Sequence, residues 1–245
     1  MNRLAGGRVD MRKIDVFRSE HPDDTPRRDH GLRPRARALL REMDFSGLDV
    51  LDLGTGRGRL AFLLAPRCRS VTGIDIDVPR LERARELASR KAVSNIRFLH
   101  KDAEKVHYRS LVPGLGAVVA NLCMSLEMVA RAGDALERGG ILAFTCFHPE
   151  HWKETGSGSS HAIEPEAILE TAARVGLELR TGFVEVDVYP FSSMNKLVGL
   201  YVGQGSRGRK WERDGRLARL LEHARRIRPE VTEAYLTAHF EKARA

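Results

Sequence analysis

The chain has 245 residues with 41 basic and 33 acidic side chains, a formal net charge of +8. That is long enough for a sizeable core, and the positive excess permits an anionic partner without demonstrating one. No apolar run is long enough to span a bilayer, MNRLAGGRVDMRKIDVF lacks the apolar stretch of a signal peptide, and Cys68, Cys123 and Cys146 have neither disulfide nor metal spacing, so the expected compartment is the reducing cytoplasm.

The first 30 residues are polar and charged, and HPDDTPRRDH (His21 to His30) reads as a loop. Leu32 to Met43 reads as a helix with Leu39, Leu40 and Met43 on an apolar face. Strand-like runs follow at 48–53, 70–75, 95–100, 116–121 and 140–147, alternating with helical patterns near 58–65, 79–92 and 125–137. Such alternation is the mark of an α/β fold with a mostly parallel sheet. Asp77, just ahead of Val78-Pro79, suits a helix N-cap. Gly156 to Ser160 is a loop, Pro165 to Val175 a helix, and Leu177 to Tyr189 a long strand.

Within this series LDVLDLGTGRGRL (Leu48 to Leu60) carries the most chemistry. An apolar strand ends at Asp52 and gives way to Gly54, Gly56 and Gly58 and then to a helix. Glycines at such a turn let backbone N–H groups and bare Cα atoms approach a ligand. A dinucleotide fingerprint would need G-x-G-x-x-G, but its third glycine position is Arg59 here. Asp52 would repel a pyrophosphate and attract a cationic group. Some twenty residues on, Asp75 ends VTGID, well placed to accept from both hydroxyls of a ribose. Ribose, adenine, a cationic amino-acid tail and no phosphate describe S-adenosylmethionine.

The segment resembles motif I of the class I S-adenosylmethionine-dependent methyltransferases, and the following segments keep that family's order. VTGIDID (Val71 to Asp77) resembles motif II, and NIRFLHKDAEKV (Asn95 to Val106) the third strand with its Asp-Ala turn. GAVVANLCMSLEM and LERGGILAFTCFHPEHW resemble the fourth and fifth strands, so that the likeness covers residues 45 to 150. It implies a Rossmann-like, seven-stranded, mostly parallel sheet with helices on both faces and an antiparallel seventh strand. Two segments compete for that strand, Lys196 to Gly203 and Val231 to Phe240. Between them Leu217, Leu220, Leu221, Ala224 and Ile227 share one helical face. The final segment is preferred, which makes 191–230 a small helical cap over the substrate pocket. One domain, 1–245, is then expected, with an N-terminal segment and helix (1–46), a cofactor-binding core (47–150), a loop, helix and sixth strand (151–190), the cap (191–230) and the last strand (231–245).

Ligands of open α/β sheets bind beyond the carboxyl ends of the strands. The resemblance therefore implies a rim of Asp52, Gly54, Thr55, Gly56, Gly58, Asp75, Ile76, Asp102, Ala103, Asn121 and Leu122. Asp52 would orient the ammonium, the Gly54–Gly56 backbone would pass under tail and ribose, and Asp75 would hold the ribose. Ile76 would pack on adenine, Asp102 would face its amino group, and the backbone after Asn121 would face the methyl. His148 is the candidate for acid–base work and Phe147 and Trp152 for an apolar pocket wall; Arg27, Arg28 and His30 would close over the cofactor or form a solvated charge run. His148 and His151 lack a third metal ligand, so no metal is expected.

Absences narrow the acceptor. No Asp/Asn-Pro-Pro-aromatic motif follows the fourth strand, where Asn121-Leu122-Cys123-Met124 stands, so methylation of a planar amide or base nitrogen by that mechanism is not expected. A small-molecule acceptor is preferred. An RNA or protein acceptor draws on the arginines of 206–228, which nevertheless alternate with a leucine stripe. A Rossmann oxidoreductase fails on the third glycine and on the absence of Tyr-x-x-x-Lys, while a non-catalytic relative that binds the cofactor stays open. The sequence does not fix the oligomeric state.

Overall fold

The computed structural model describes residues 11–25, 31–202 and 205–244. Arg27, Arg28 and His30 lie outside the described residues. Among the described residues eight strands form one sheet: β1 (Ile14–Glu20), β2 (Asp49–Leu53), β3 (Ser70–Asp75), β4 (Ile96–His100), β5 (Leu115–Asn121), β6 (Ile141–Phe147), β7 (Leu177–Pro190) and β8 (Glu230–Lys242). Their spatial order is β1-β7-β8-β6-β5-β2-β3-β4. Every neighbouring pair is parallel except those of β8, which runs antiparallel to both β6 and β7.

The helices are α1 (Pro34–Glu42), α2 (Arg59–Leu64), α3 (Val78–Arg90), α4 (Tyr108–Leu111), α5 (Leu126–Ala135), α6 (Pro165–Arg174), α7 (Met194–Val202), α8 (Gly205–Arg213) and α9 (Arg216–Arg226). Among the described residues no helix is long and apolar enough to cross a membrane.

The period of two along the strands sorts the core into two layers. Val50, Val119 and Ala143 face the side covered by α1, α2 and α3, where they meet Leu40, Leu60 and Leu81. Leu51, Leu53, Val118 and Leu142 face the opposite side and meet Val129 and Ala132 of α5 and Ile168 of α6. Asp52 shares the face of Val50 but lies near the strand's carboxyl end, where the apolar layer gives way to the glycine turn. Asp77 caps α3 by accepting from the Arg80 N–H at 3.0 Å, with Pro79 in the first turn.

The antiparallel last strand is the final segment of the chain, and KLVGLYVG, despite its strand formers, lies largely in α7. Helices α7 to α9 pack through Leu197, Trp211, Leu220 and Ala224 onto Tyr189, Phe191, Val231 and Trp152. Of these, Tyr189 lies at the carboxyl end of β7 and Val231 at the amino end of β8, the sheet edge that also carries the glycine turn after β2. Arg219 fastens α9 to that edge by donating to the Thr155 carbonyl at 2.7 Å.

One strand exceeds the seven expected. β1 pairs parallel with β7 from Ile14↔Gly182 to Glu20↔Val188 and forms one edge of the sheet. Only Ile14 of it is buried. An edge strand carrying Asp15, Arg18 and Glu20 has no half-buried alternation to betray it, and such charges are what keeps an edge from pairing with another chain.

Candidate cofactor site

The chain leaves β2 through Gly54, Gly56 and Gly58, all left-handed, with φ of +62°, +56° and +77°. At Gly54 a Cβ would stand 2.3 Å from the Cys123 Sγ, so the turn abuts the loop after β5 and no side chain fits. At Gly56 the nearest heavy atoms to such a Cβ are 3.9–4.0 Å away, so open space faces this position and only its backbone conformation demands glycine.

Two carboxylates organise the turn. Asp52 is almost fully buried, 1% exposed, and accepts from the Thr55 hydroxyl at 2.6 Å. Burial pushes its carboxyl up to about 7, with the Thr55 hydrogen bond opposing. Asp75, at the end of β3, accepts from the Gly56 N–H at 2.7 Å through one oxygen and from the Asp77 N–H at 2.8 Å through the other. It joins the glycine turn to the start of α3, and each oxygen keeps a second acceptor site.

Two adjoining clefts open above these groups. The smaller, about 250 Å³, has Asp52, Gly54, Thr55, Gly56, Leu32 and Asn121 among its walls. The larger, about 800 Å³, is lined on one side by Asp75, Ile76, Asp102, Ala103, Leu122 and Cys123 and extends to Phe147, Trp152 and His161. Gly54, Arg80 and Asn121 border both.

Of the residues expected at the rim, ten line one cleft or both. Gly58 does not: a Cβ there would meet the rings of Phe98 and Phe62 at 2.8 and 3.0 Å, so it serves the approach of α2 to the sheet rather than the ligand. Ile76 is 68% exposed, an apolar face left on the cleft rim. Asp102 accepts from the Glu104 N–H at 3.0 Å and the Lys105 ammonium at 2.9 Å, and Lys105 holds its carboxyl below the usual range. Leu122 is left-handed, φ +59°, with its N–H donated to the Thr145 carbonyl at 2.7 Å. The Asn121 Oδ1 is buried without a hydrogen-bond partner, a cost normally offset by a ligand or water.

His148 lies away from the walls of both clefts. Its Nδ1 accepts from the Glu150 N–H at 3.2 Å, its own N–H binds the Ala234 carbonyl, and burial lowers its pKa. The histidine that borders the larger cleft is His161. A bridge between Phe147 and Ala162, with the Ile163 N–H donated to the Phe147 carbonyl at 3.0 Å, holds that loop beside β6. Phe147 and Trp152 do line the larger cleft. His151 is fully buried with its Nδ1 accepting from the Ala234 N–H, and among the described residues no His, Cys, Asp and Glu group is arranged to hold a metal ion.

This donor set fits S-adenosylmethionine. A buried carboxylate faces the tail cleft, a second offers spare acceptor sites to a diol, an apolar side chain is exposed where a base would lie, and Asn121 carries an unsatisfied oxygen between them.

Residues 44–157 match the family model described as a methyltransferase domain. An uncharacterised methyltransferase of Mycobacterium tuberculosis is 38% identical over 103 residues, which cover 40% of this chain and 50% of that protein. The aklanonic acid methyltransferase of Streptomyces sp. strain C5 is 36% identical over 107 residues, 41% of this chain and 48% of the relative. The chain thus spans about half the length of these relatives. Among solved structures, phosphoethanolamine N-methyltransferase 2 of Haemonchus contortus, in complex with S-adenosyl-L-methionine, aligns with a TM-score of 0.56 and 18% identity over 86% of this chain and 52% of that one. Over residues 44–157 the chain is thus similar to methyltransferase domains, and its Rossmann-like fold is the one found in solved methyltransferase structures.

Proposed function

We propose that the protein transfers the methyl group of S-adenosylmethionine to a small-molecule acceptor. The observation that carries this reading is the division of the carboxyl-edge cleft. Its smaller part suits the amino-acid tail and one wall of its larger part suits ribose and adenine. The rest of the larger part extends beneath Phe147 and Trp152, with His161 at its border, and would take the acceptor.

When bound, the sulfonium supplies an already electrophilic methyl carbon. The chain's residues then have to bind, orient and exclude water. Asp52 would hold the ammonium in a site whose burial strengthens the attraction. Asp75 would accept from the ribose hydroxyls, Ile76 would cover one face of adenine, and Asp102 with Ala103 would border its edge. The Leu122 turn would keep the end of β5 close to the reacting centre, where Asn121 offers an acceptor oxygen to a donor. At the cleft border His161 would be the candidate proton acceptor, a place that His148 does not hold. The α7–α9 layer would shield the acceptor from water. The similarity to an aklanonic acid methyltransferase supports a small-molecule acceptor.

An RNA or protein acceptor would draw on the exposed Arg209, Arg213, Arg225 and Arg226 of α8 and α9. Against it, the apolar side of these helices is spent on packing against Trp152, Tyr189, Phe191 and Val231.

The test is calorimetric titration with S-adenosylmethionine, with NAD as counter-ligand and Asp75→Ala as control, followed by an acceptor screen that reads S-adenosylhomocysteine release. Micromolar binding that is lost in the variant and absent for NAD supports the reading. Binding of NAD instead would overturn it.

A further inference from the structure

Beside the cofactor clefts, on the same face of the sheet, a cation is buried among the acids of β7 and β8. Arg33, the residue before α1, is only 9% exposed. Its guanidinium hydrogen-bonds to Asp187 and stands 3.7 Å from Glu185 and 3.9 Å from Glu233. It also lies over the ring of Tyr235, 4.9 Å from the centroid. His21 contacts the other Asp187 oxygen at 3.0 Å and stacks on Tyr189.

Such clusters are poor sources of net stability. Removing an arginine and several carboxylates from water costs several kcal/mol per ion, which their mutual attraction offsets only in good geometry, and apolar residues of similar volume often do as well. What the cluster does provide is a fixed register for the segment that carries Arg33. The residue before it, Leu32, is a wall of the smaller cleft alongside Asp52 and Gly54. Leu32 also borders the apolar crevice beneath α1, with Ala36, Leu40 and Thr237. Arg33 is extended, with φ −59° and ψ 146°, so the chain passes directly from the cleft wall through the anchored residue into the helix. Leu32 is absent from the walls of the larger cleft.

We propose that Arg33 is a positioning residue: its seat among Asp187, Glu185 and Glu233 places Leu32 as a wall of the cleft that holds the cofactor's amino-acid tail. This rests on the assignment of the two clefts to S-adenosylmethionine made above. Arg33 itself touches no part of the cofactor. Its effect is confined to the tail side, because Leu32 reaches that side alone.

The confinement gives the test. Arg33→Lys keeps the charge but cannot meet three acids in the planar fork geometry of a guanidinium. Calorimetric titration compares S-adenosylhomocysteine, which carries the tail, with 5′-methylthioadenosine, which lacks it. The expected result is an affinity for S-adenosylhomocysteine lowered about tenfold or more, with methylthioadenosine held within about twofold. Leu32→Ala should give the same selective loss. If Arg33→Lys does not fold, Asp187→Asn removes the closest partner of the guanidinium and carries the same comparison. Equal losses for both ligands would mean a general structural role and would overturn the inference, as would an unchanged affinity for S-adenosylhomocysteine. Failure of the unmodified protein to bind S-adenosylhomocysteine would instead overturn the cofactor assignment itself, a result told apart because it appears before any substitution.

Discussion

Asp52→Asn tests the buried carboxylate on which the tail cleft is built. In the ligand-free protein burial raises this carboxyl from 3.8 to about 7. A group whose folded pKa lies above its unfolded one withdraws stability as pH rises. Its ionised form is penalised in the fold, so stability is highest below pH 4, falls between about 4 and 7, and is level above. Roughly three pKa units at 1.36 kcal/mol each bound the loss at ~4 kcal/mol, and relaxation of the site brings the observable part nearer ~2 kcal/mol. Asparagine has no such titration and can still accept from Thr55. Thermal melts of parent and variant from pH 4.5 to 8, without ligand, should therefore diverge. The variant should gain about 4–8 °C over the parent at pH 8 relative to pH 4.5, at ~2–4 °C per kcal/mol for a chain of this length. Taking the difference cancels other titrating groups, Glu233 among them, which burial also pushes up to about 7. Ligand affinity should move the opposite way. An ammonium beside Asp52 favours its charged form, so S-adenosylmethionine should bind the parent more tightly as pH rises from 5 to 7 and bind the variant weakly throughout. A variant–parent difference in melting temperature that does not change with pH would refute the desolvation argument. Unchanged affinity in the variant would remove Asp52 from the cofactor site.

The other expectations concern the turn, the base and the α7–α9 helices. Gly54→Ala should destabilise the protein by about 2–3 kcal/mol in denaturant titration, through its left-handed backbone and a Cβ 2.3 Å from the Cys123 Sγ; Cys123→Gly in the same chain should restore the steric part and leave about 1 kcal/mol of backbone strain. Ile76→Ala should weaken S-adenosylmethionine binding by about 1 kcal/mol in calorimetry while leaving the melting temperature nearly unchanged, since the side chain is 68% exposed without ligand. Trp211→Ala should cost about 3–5 kcal/mol in the seam between the α7–α9 helices and the sheet, and hydrogen exchange should show α7–α9 opening more than β2–β6.

The cofactor half of the fold was legible because its strands are buried on both faces. β2, β3, β5 and β6 read as largely apolar runs followed by turn residues, and each of them forms. The C-terminal half asked for a choice between two segments of similar composition. Lys196 to Val202 could be a strand by propensity, but Leu197 supplies the face on which α7 packs against Trp211 and Tyr189. Val231 to Phe240 meets a neighbour on each side, β6 and β7, and lies almost wholly buried between them. Tertiary burial, not propensity, separates the two. β1 carried no sign at all, since an edge strand with one buried residue looks like a charged loop.

The site divides along the same line. Asp52, the glycine turn, Asp75 and Asp102 stand at fixed offsets from strand ends, so their meeting follows from the parallel sheet once the strands are placed. The acceptor side obeys no such rule. His148 directly follows β6, yet the chain turns its ring onto the backbone of Glu150, while His161, thirteen residues later, is returned to the cleft by a single bridge at Phe147. Leu32 reaches the smaller cleft from a segment anchored by Arg33, whose partners lie on β7 and β8, more than 150 residues away in the chain. Contacts of that range leave no local pattern, because a buried arginine before a helix has the same sequence signature as a solvated one. Because Leu32, a wall of the smaller cleft, adjoins such an arginine, β7 and β8 would set the shape of that cleft. Changes at Asp187 or Glu233 should therefore be felt by a ligand neither residue touches.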